Sequence, residues 1–236
     1  MKPIIVANWK ANKNIQETID FVNLTKSSLE EAKNTQVVLC PPFTSLSTLA
    51  VLLTDSSVKV GAQDVSDHLE GAYTGEVAAS MLSGLVTHCI VGHSERRRYY
   101  SEKEEQVGEK VKNLVERNIT PILCISDINQ MDNYLAASDS FKQNASKIVF
   151  VYEPPSAISG GGDYHPESPG EASTNAAKIS EKIGASVVTL YGGSVSDADV
   201  DQFLTEKNIN GVLVGKASLS AKTFISLVQK ANNLVL

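Results

Sequence analysis

Tryptophan is almost missing from this chain: Trp9 is the only one in 236 residues, and aromatic residues together make up 6%. Cysteine is scarce and odd in number, with Cys40, Cys89 and Cys124 each in or at the end of an apolar run. Thiols so placed are expected to be buried and reduced, which excludes a disulfide framework, and their spacing fits no metal-ligand set. Positive charge is in deficit, the formal net charge being -6, which argues against a general nucleic-acid binder. Long hydrophobic runs are lacking too. Ile4 to Ala7, the four apolar residues before Asn8, are too few for a signal-peptide core, and nothing reaches membrane-span length. The expected setting is the cytoplasm.

The apolar content is 42%, enough for a substantial core, and residues 1–236 contain no linker or charge block that would divide them. Short β-rich apolar runs recur at 3–7, 37–40, 58–61, 87–91, 121–125, 148–152, 187–191 and 211–214. Longer segments with helical spacing lie between them, carried by Ile15, Ile19, Val22 and Leu29 in the first and by Val107, Val111, Leu114 and Val115 in the fourth. Strand alternating with helix about eight times predicts a single α/β domain, a parallel (β/α)8 barrel. Between Ile125 and Ile148 the helical pattern is weak, so the fifth helix is expected to be short or irregular.

In such a barrel the chemistry collects where strands end. Ile148 to Tyr152 reads as a strand buried on both faces; Glu153 stands at its end, Pro154-Pro155 fixes the exit, and Ser159-Gly160-Gly161-Gly162 is the most permissive backbone in the sequence. A carboxylate at a strand mouth beneath a lid, here 154–166, gains basicity when closure removes water, which suits proton abstraction. Taken alone, a glutamate ending a strand is usually a solvated edge, and the rest of the chain has to argue otherwise. The first strand delivers Asn8-Trp9-Lys10, where a lysine could aim charge into the barrel mouth or be an ordinary surface residue. After the fourth strand comes His93, directly before Ser94, a suitable N-cap for a following helix whose positive end would keep the imidazole neutral. His68, His88 and His165 read as structural. Strands seven and eight end in Gly192-Gly193-Ser194 and Gly215-Lys216, and glycine-rich loops at those two strands favour a phosphate site.

Asn8-Trp9-Lys10, the run Gly92-His93-Ser94-Glu95-Arg96-Arg97, Tyr152-Glu153-Pro154, Tyr191-Gly192-Gly193-Ser194-Val195 and Leu213-Val214-Gly215 closely resemble triosephosphate isomerase, in order and spacing over nearly the whole chain. The resemblance implies reversible conversion of dihydroxyacetone phosphate and glyceraldehyde 3-phosphate in glycolysis and gluconeogenesis, without cofactor or metal. It implies Glu153 as the base, neutral His93 as the group that polarises the carbonyl, Lys10 as the enediolate stabiliser and Asn8 as a substrate-orienting residue. Glu95 would support Lys10 and the histidine loop. The phosphate would be held by Ser159, Gly193 and Ser194, and by the N–H groups of Gly215 and Lys216. The excursion 63–76 resembles the family's interdigitating loop, with Thr74 reaching a partner, so a homodimer is implied and a tetramer is the alternative.

Departures from the family are visible. Its usual lid tryptophan and lysine are replaced within Pro154-Pro155-Ser156-Ala157-Ile158-Ser159-Gly160-Gly161-Gly162, and closure is expected to cost more, raising KM. Lys216 stands where a second glycine is usual, keeping the N–H and adding a cation, provided the position does not need a glycine-only backbone angle. Ser126-Asp127 replaces the family's glycine-glutamate after Cys124. Two other readings compete: a different phosphate-binding barrel, such as a ribose-phosphate or indole-pathway isomerase, and a non-catalytic relative that binds phosphosugars or a protein.

Overall fold

The computed structural model describes residues 1–157 and 167–234. Eight strands pair in parallel and in chain order, and the last pairs with the first to close a barrel. The strands are β1 Ile4–Asn8, β2 Gln36–Cys40, β3 Lys59–Ala62, β4 His88–Val91, β5 Thr120–Ile125, β6 Val149–Tyr152, β7 Val188–Tyr191 and β8 Gly211–Val214. Closure is carried by the register Ile5 with Val212 and Val6 with Leu213. The (β/α)8 expectation holds, and each expected strand lies within a residue or so of the observed one.

Alternation along the strands divides the apolar residues into two cores. Ile4 and Val6, Val38 and Cys40, Ile122 and Cys124, and Val149 and Val151 pack with Ile90, Leu190 and Leu213 inside the barrel. Ile5 and Ala7, Val37 and Leu39, Leu123 and Ile125, and Phe150 and Tyr152 pack outward against the helices. This parity decides which residues enter the mouth. One step beyond the last inward residue of β1, β6, β7 and β8 come Asn8, Glu153, Gly192 and Gly215.

Helices α1 Ile15–Glu31, α2 Phe43–Leu52, α3 Ala79–Leu82, α4 Ser94–Tyr100 and α5 Glu104–Glu116 come from the first half of the chain. Asn14 and Glu17 form a capping box that starts α1. Its buried stripe runs through Thr18, Phe21, Val22, Thr25 and Leu29, while Ile15 is 48% exposed, so the face expected from Ile15 and Ile19 is rotated. Thr18 and Thr25 can be buried because their hydroxyls bond the carbonyls of Asn14 and Phe21 at 2.9 and 2.8 Å, which satisfies the polar atom inside the packed face. In α5 the expected stripe is present, with Val107, Val111 and Leu114 fully buried and Val115 partly so.

The weak fifth segment is indeed broken, into α6 Gln130–Ala137, α7 Ser140–Gln143 and a 3-10 turn at Ala145–Lys147. Tyr134 and Phe141 pin it to the barrel, their ring centroids 4.7 Å apart. The chain continues with α8 Pro169–Ile183, α9 Val200–Leu204 and α10 Ala221–Asn233. Ser168 caps α8, whose first residue is Pro169, and Gly184 ends it in the left-handed conformation at φ 79°. No helix among the described residues is long and apolar enough to cross a membrane.

Candidate active site

Asn8, the last residue of β1, is 4% exposed, and its Oδ1 accepts the N–H of Lys10 at 3.0 Å. That bond helps hold Lys10 at φ 51°, a left-handed conformation that costs a non-glycine residue on the order of 1–2 kcal/mol. From the far side Gln63 Nε2 donates to the carbonyls of Lys10 and Cys40, at 3.0 and 2.8 Å. The bend turns the lysine into the mouth, where Nζ meets Glu95 Oε1 at 2.6 Å.

His93 sits at the start of α4 and is itself the N-cap, with φ -60° and ψ 140°. Its Nδ1 accepts the N–H of Glu95 at 3.2 Å, which places the proton of the neutral ring on Nε2. Ser94 is therefore not the cap that the sequence suggested. The imidazole supplies the acceptor, and the Ser94 N–H, one of the unpaired donors of a helix start, goes instead to Glu153 Oε1 at 2.7 Å.

Glu153 is fully buried. Its Oε2 lies 3.4 Å from His93 Nε2 and has no hydrogen-bond partner among the described residues. Arg97 flanks the other oxygen, Nη2 being 3.7 Å from Oε1. The guanidinium is fixed by the carbonyl of Gly92, the Ser126 hydroxyl and, at 3.1 Å, the Tyr134 hydroxyl. Burial pulls the Arg97 guanidinium toward the neutral form, but Tyr134 and Glu153 outweigh it and hold it charged. Burial, with the charge of Glu153 next, pushes the Cys124 thiol well above its ordinary range, so this neighbour stays uncharged. Gly192 completes the wall: a Cβ there would stand 2.5 Å from Val151 Cγ1 and 2.9 Å from Glu153 Cβ, so only glycine lets β7 pass this close.

Beside these groups opens a cavity of about 560 Å³, lined among others by Asn8, Lys10, His93, Gly193, Gly215 and Lys216. Among the described residues no acceptor takes the N–H of Gly193, Gly215 or Lys216. Lys216 does not have positive φ and simply opens the 3-10 turn Lys216–Ser218, so the glycine-to-lysine departure is accommodated without strain. Ser194 is differently occupied: its N–H and its hydroxyl both donate to the carbonyl of Ala157, each at 2.7 Å.

Of 154–166, the segment expected from the sequence to form a lid, only residues up to Ala157 are described, and Ser159, a sequence-based candidate for the phosphate, lies outside them. At the near edge Pro155–Ala157 forms a 3-10 turn. At the far edge Glu167 donates its N–H to the Tyr191 hydroxyl at 3.1 Å, and its Oε1 accepts from the Tyr152 hydroxyl at 3.3 Å. Burial first, and the Glu167 charge after it, pushes the Tyr152 phenol up to about 12, which keeps it a donor at neutral pH.

Asn8, Lys10, His93, Glu95 and Glu153 are thus brought together from three strand ends, with Gly193, Gly215 and Lys216 on the adjoining rim after β7 and β8. Sequence reasoning missed Gln63, Tyr134 and the service of Arg97. For Arg97 a signal existed, since it lies four residues after His93 at the start of a helix and so shares its face.

A family model described as triosephosphate isomerase matches residues 3–231. Curated triosephosphate isomerases are similar over the whole length: that of Alkaliphilus oremlandii is 38% identical, with 96% of this chain and 98% of the relative covered. Those of Alkaliphilus metalliredigens and Endomicrobium trichonymphae are 36% and 34% identical, covering 96% and 97% of this chain and 98% of each relative. With five of the expected side chains around one barrel mouth and relatives of this extent, the chain belongs to the triosephosphate isomerase family.

Proposed function

We propose that this chain interconverts dihydroxyacetone phosphate and D-glyceraldehyde 3-phosphate through an enediolate, in glycolysis and gluconeogenesis, with Glu153 as the base that carries the proton between the two carbons. The observation that carries this reading is Glu153 itself, buried completely with Oε2 unpartnered among the described residues and 3.4 Å from His93 Nε2. One oxygen, Oε1, is fixed by the Ser94 N–H at 2.7 Å, which leaves the lone pairs of Oε2 free to take a proton from substrate carbon. As the C–H electrons move into the enediolate, negative charge grows on oxygen. His93 Nε2–H donates to that oxygen, and the Lys10 ammonium lowers its energy. Asn8 orients the substrate, and Glu95 holds Lys10 in place at 2.6 Å.

The phosphate sits against the N–H groups of Gly193, Gly215 and Lys216. Ser194 joins them once its hydroxyl leaves the Ala157 carbonyl, and Ser159 joins from the lid. Binding energy from this non-reacting group then drives closure over Glu153. The chain works in the cytoplasm as one barrel domain and as a homodimer through 63–76, whose exposed tip runs from His68 to Glu76 and carries Thr74. A monomeric mass by light scattering at micromolar concentration overturns the dimer.

The coupled isomerase rate with glyceraldehyde 3-phosphate, measured for the native chain and for Glu153→Gln with the fold of both checked by circular dichroism, tests the catalytic reading. The variant is expected to lose on the order of 10⁴-fold in kcat. Two folded and equally inactive proteins would remove Glu153 from its role and leave a phosphosugar-binding barrel.

A further inference from the structure

Two lysines line the mouth cavity, Lys10 and Lys216. Their electrostatic situations are opposite. Lys10 is compensated, its Nζ lying 2.6 Å from Glu95 Oε1. Lys216 is exposed and makes no ion pair or side-chain hydrogen bond among the described residues. The two loops meet at Gly215, where a Cβ would lie 3.5 Å from Lys10 Cε and 3.9 Å from Nζ. In the sequence, residues 154–166 contain neither lysine nor arginine, and the chain as a whole carries a net charge of -6. Of the two lysines that line the cavity, a phosphate dianion meets one already compensated and one, Lys216, that is not.

We propose that the Lys216 side chain is the anion-capturing charge of this site, a binding residue that recognises the phosphate group by its ammonium as well as by its N–H. This rests on the phosphate end of the cavity as assigned under Proposed function, and it puts the capturing cation on the rim after β8. Because Lys216 is exposed, its contribution is of the solvent-screened kind, modest at low ionic strength and lost at high. It acts on encounter as well as on affinity, since an uncompensated cation at the mouth of a molecule with net charge -6 attracts the anion there.

The test is a titration of the full chain with inorganic phosphate, followed by the amide signals of Gly193 and Gly215 in ¹H–¹⁵N spectra. Native protein, Lys216→Gln and Lys216→Arg are compared at ionic strengths of about 0.02 M and about 0.5 M, below and well above the range where screening takes hold. At low salt Lys216→Gln is expected to bind phosphate about fivefold more weakly, Lys216→Arg within twofold of native, and at high salt all three alike. Equal affinities of native protein and Lys216→Gln at low salt overturn the inference while leaving the phosphate site intact. A deficit of Lys216→Gln that persists at high salt also overturns it, because it marks a distorted loop rather than a lost charge. If phosphate moves neither amide in the native protein, the phosphate assignment itself fails and the role of Lys216 falls with it.

Discussion

The two ends of β4 each carry a buried histidine, 7% exposed at His88 and 6% at His93, and they differ in what their rings can still do. At the start of the strand His88 is occupied on both nitrogens, Nδ1 by the Thr87 hydroxyl at 2.7 Å and Nε2 by the Gln36 amide at 3.2 Å. Past its end His93 has one nitrogen fixed, by the Glu95 N–H at 3.2 Å, and aims the other at Glu153 across 3.4 Å. Burial is nearly equal, so burial does not distinguish a ring tied at both nitrogens from one with a nitrogen to spare. The count of committed ring nitrogens does. With both committed the ring is a cross-link; with one committed it is held in a known tautomer and orientation while the other remains available to a substrate.

The largest expected effect breaks the comparison at the mouth. His93→Gln can keep an acceptor for the Glu95 N–H and offers an amide N–H in place of the imidazole N–H, but an amide cannot exchange protons as imidazole does, so kcat should fall by about 10³-fold with little change in the urea midpoint. A loss below tenfold in the coupled assay would return His93 to the same class as His88.

At the other end the effect is on stability. Burial, with the Lys59 charge second, lowers the His88 imidazole from 6.5 to about 4. In the unfolded chain the ring takes up its proton near 6.5, so between those values the unfolded state binds more protons and the fold weakens as pH falls. The loss should reach about 3 kcal/mol across the window from 6.5 down to 4, and His88→Gln should flatten it while kcat at neutral pH stays as in the native chain. Urea midpoints at pH 7, 5.5 and 4.5 measure this, and a native-like slope in the variant would contradict it.

The smallest effect lies between the two ends. Tyr134→Phe removes the hydroxyl that accepts from Arg97 Nη1 at 3.1 Å and donates to the Cys124 carbonyl at 3.3 Å. With these buried groups left short of a partner, stability should fall by about 1–2 kcal/mol, and kcat severalfold as Arg97 loosens beside Glu153. A thermal scan and the coupled rate read the two parts separately; an unchanged kcat would detach Arg97 from the chemistry.

Much of this molecule was legible in the sequence because it is written at short range. Strand runs such as Ile148 to Tyr152 are uninterrupted because both faces are buried, once inside the barrel and once against helices. The expected weakness after Ile125 was also real, as the broken α6 and α7 attest. The face of α1 was misread because Thr18 and Thr25 count as polar in a periodicity, although their bonds to backbone carbonyls make them compatible with burial. Ser94 looked like the cap because hydroxyl side chains usually are, but the imidazole nitrogen reached the helix amide first. Gln63 and Tyr134 left no local trace at all. Their contacts, with Lys10 at 53 residues' separation and with Arg97 at 37, exist only after the barrel has closed.

Gln63, directly after β3, gives both hydrogens of one amide nitrogen to carbonyls belonging to two other segments, at Lys10 and Cys40. The left-handed bend that aims Lys10 is therefore completed only when the first three strands stand in register. The aim of the lysine thus depends on the third strand as well as the first, and a local loosening of β3 would reach the mouth through a single amide nitrogen.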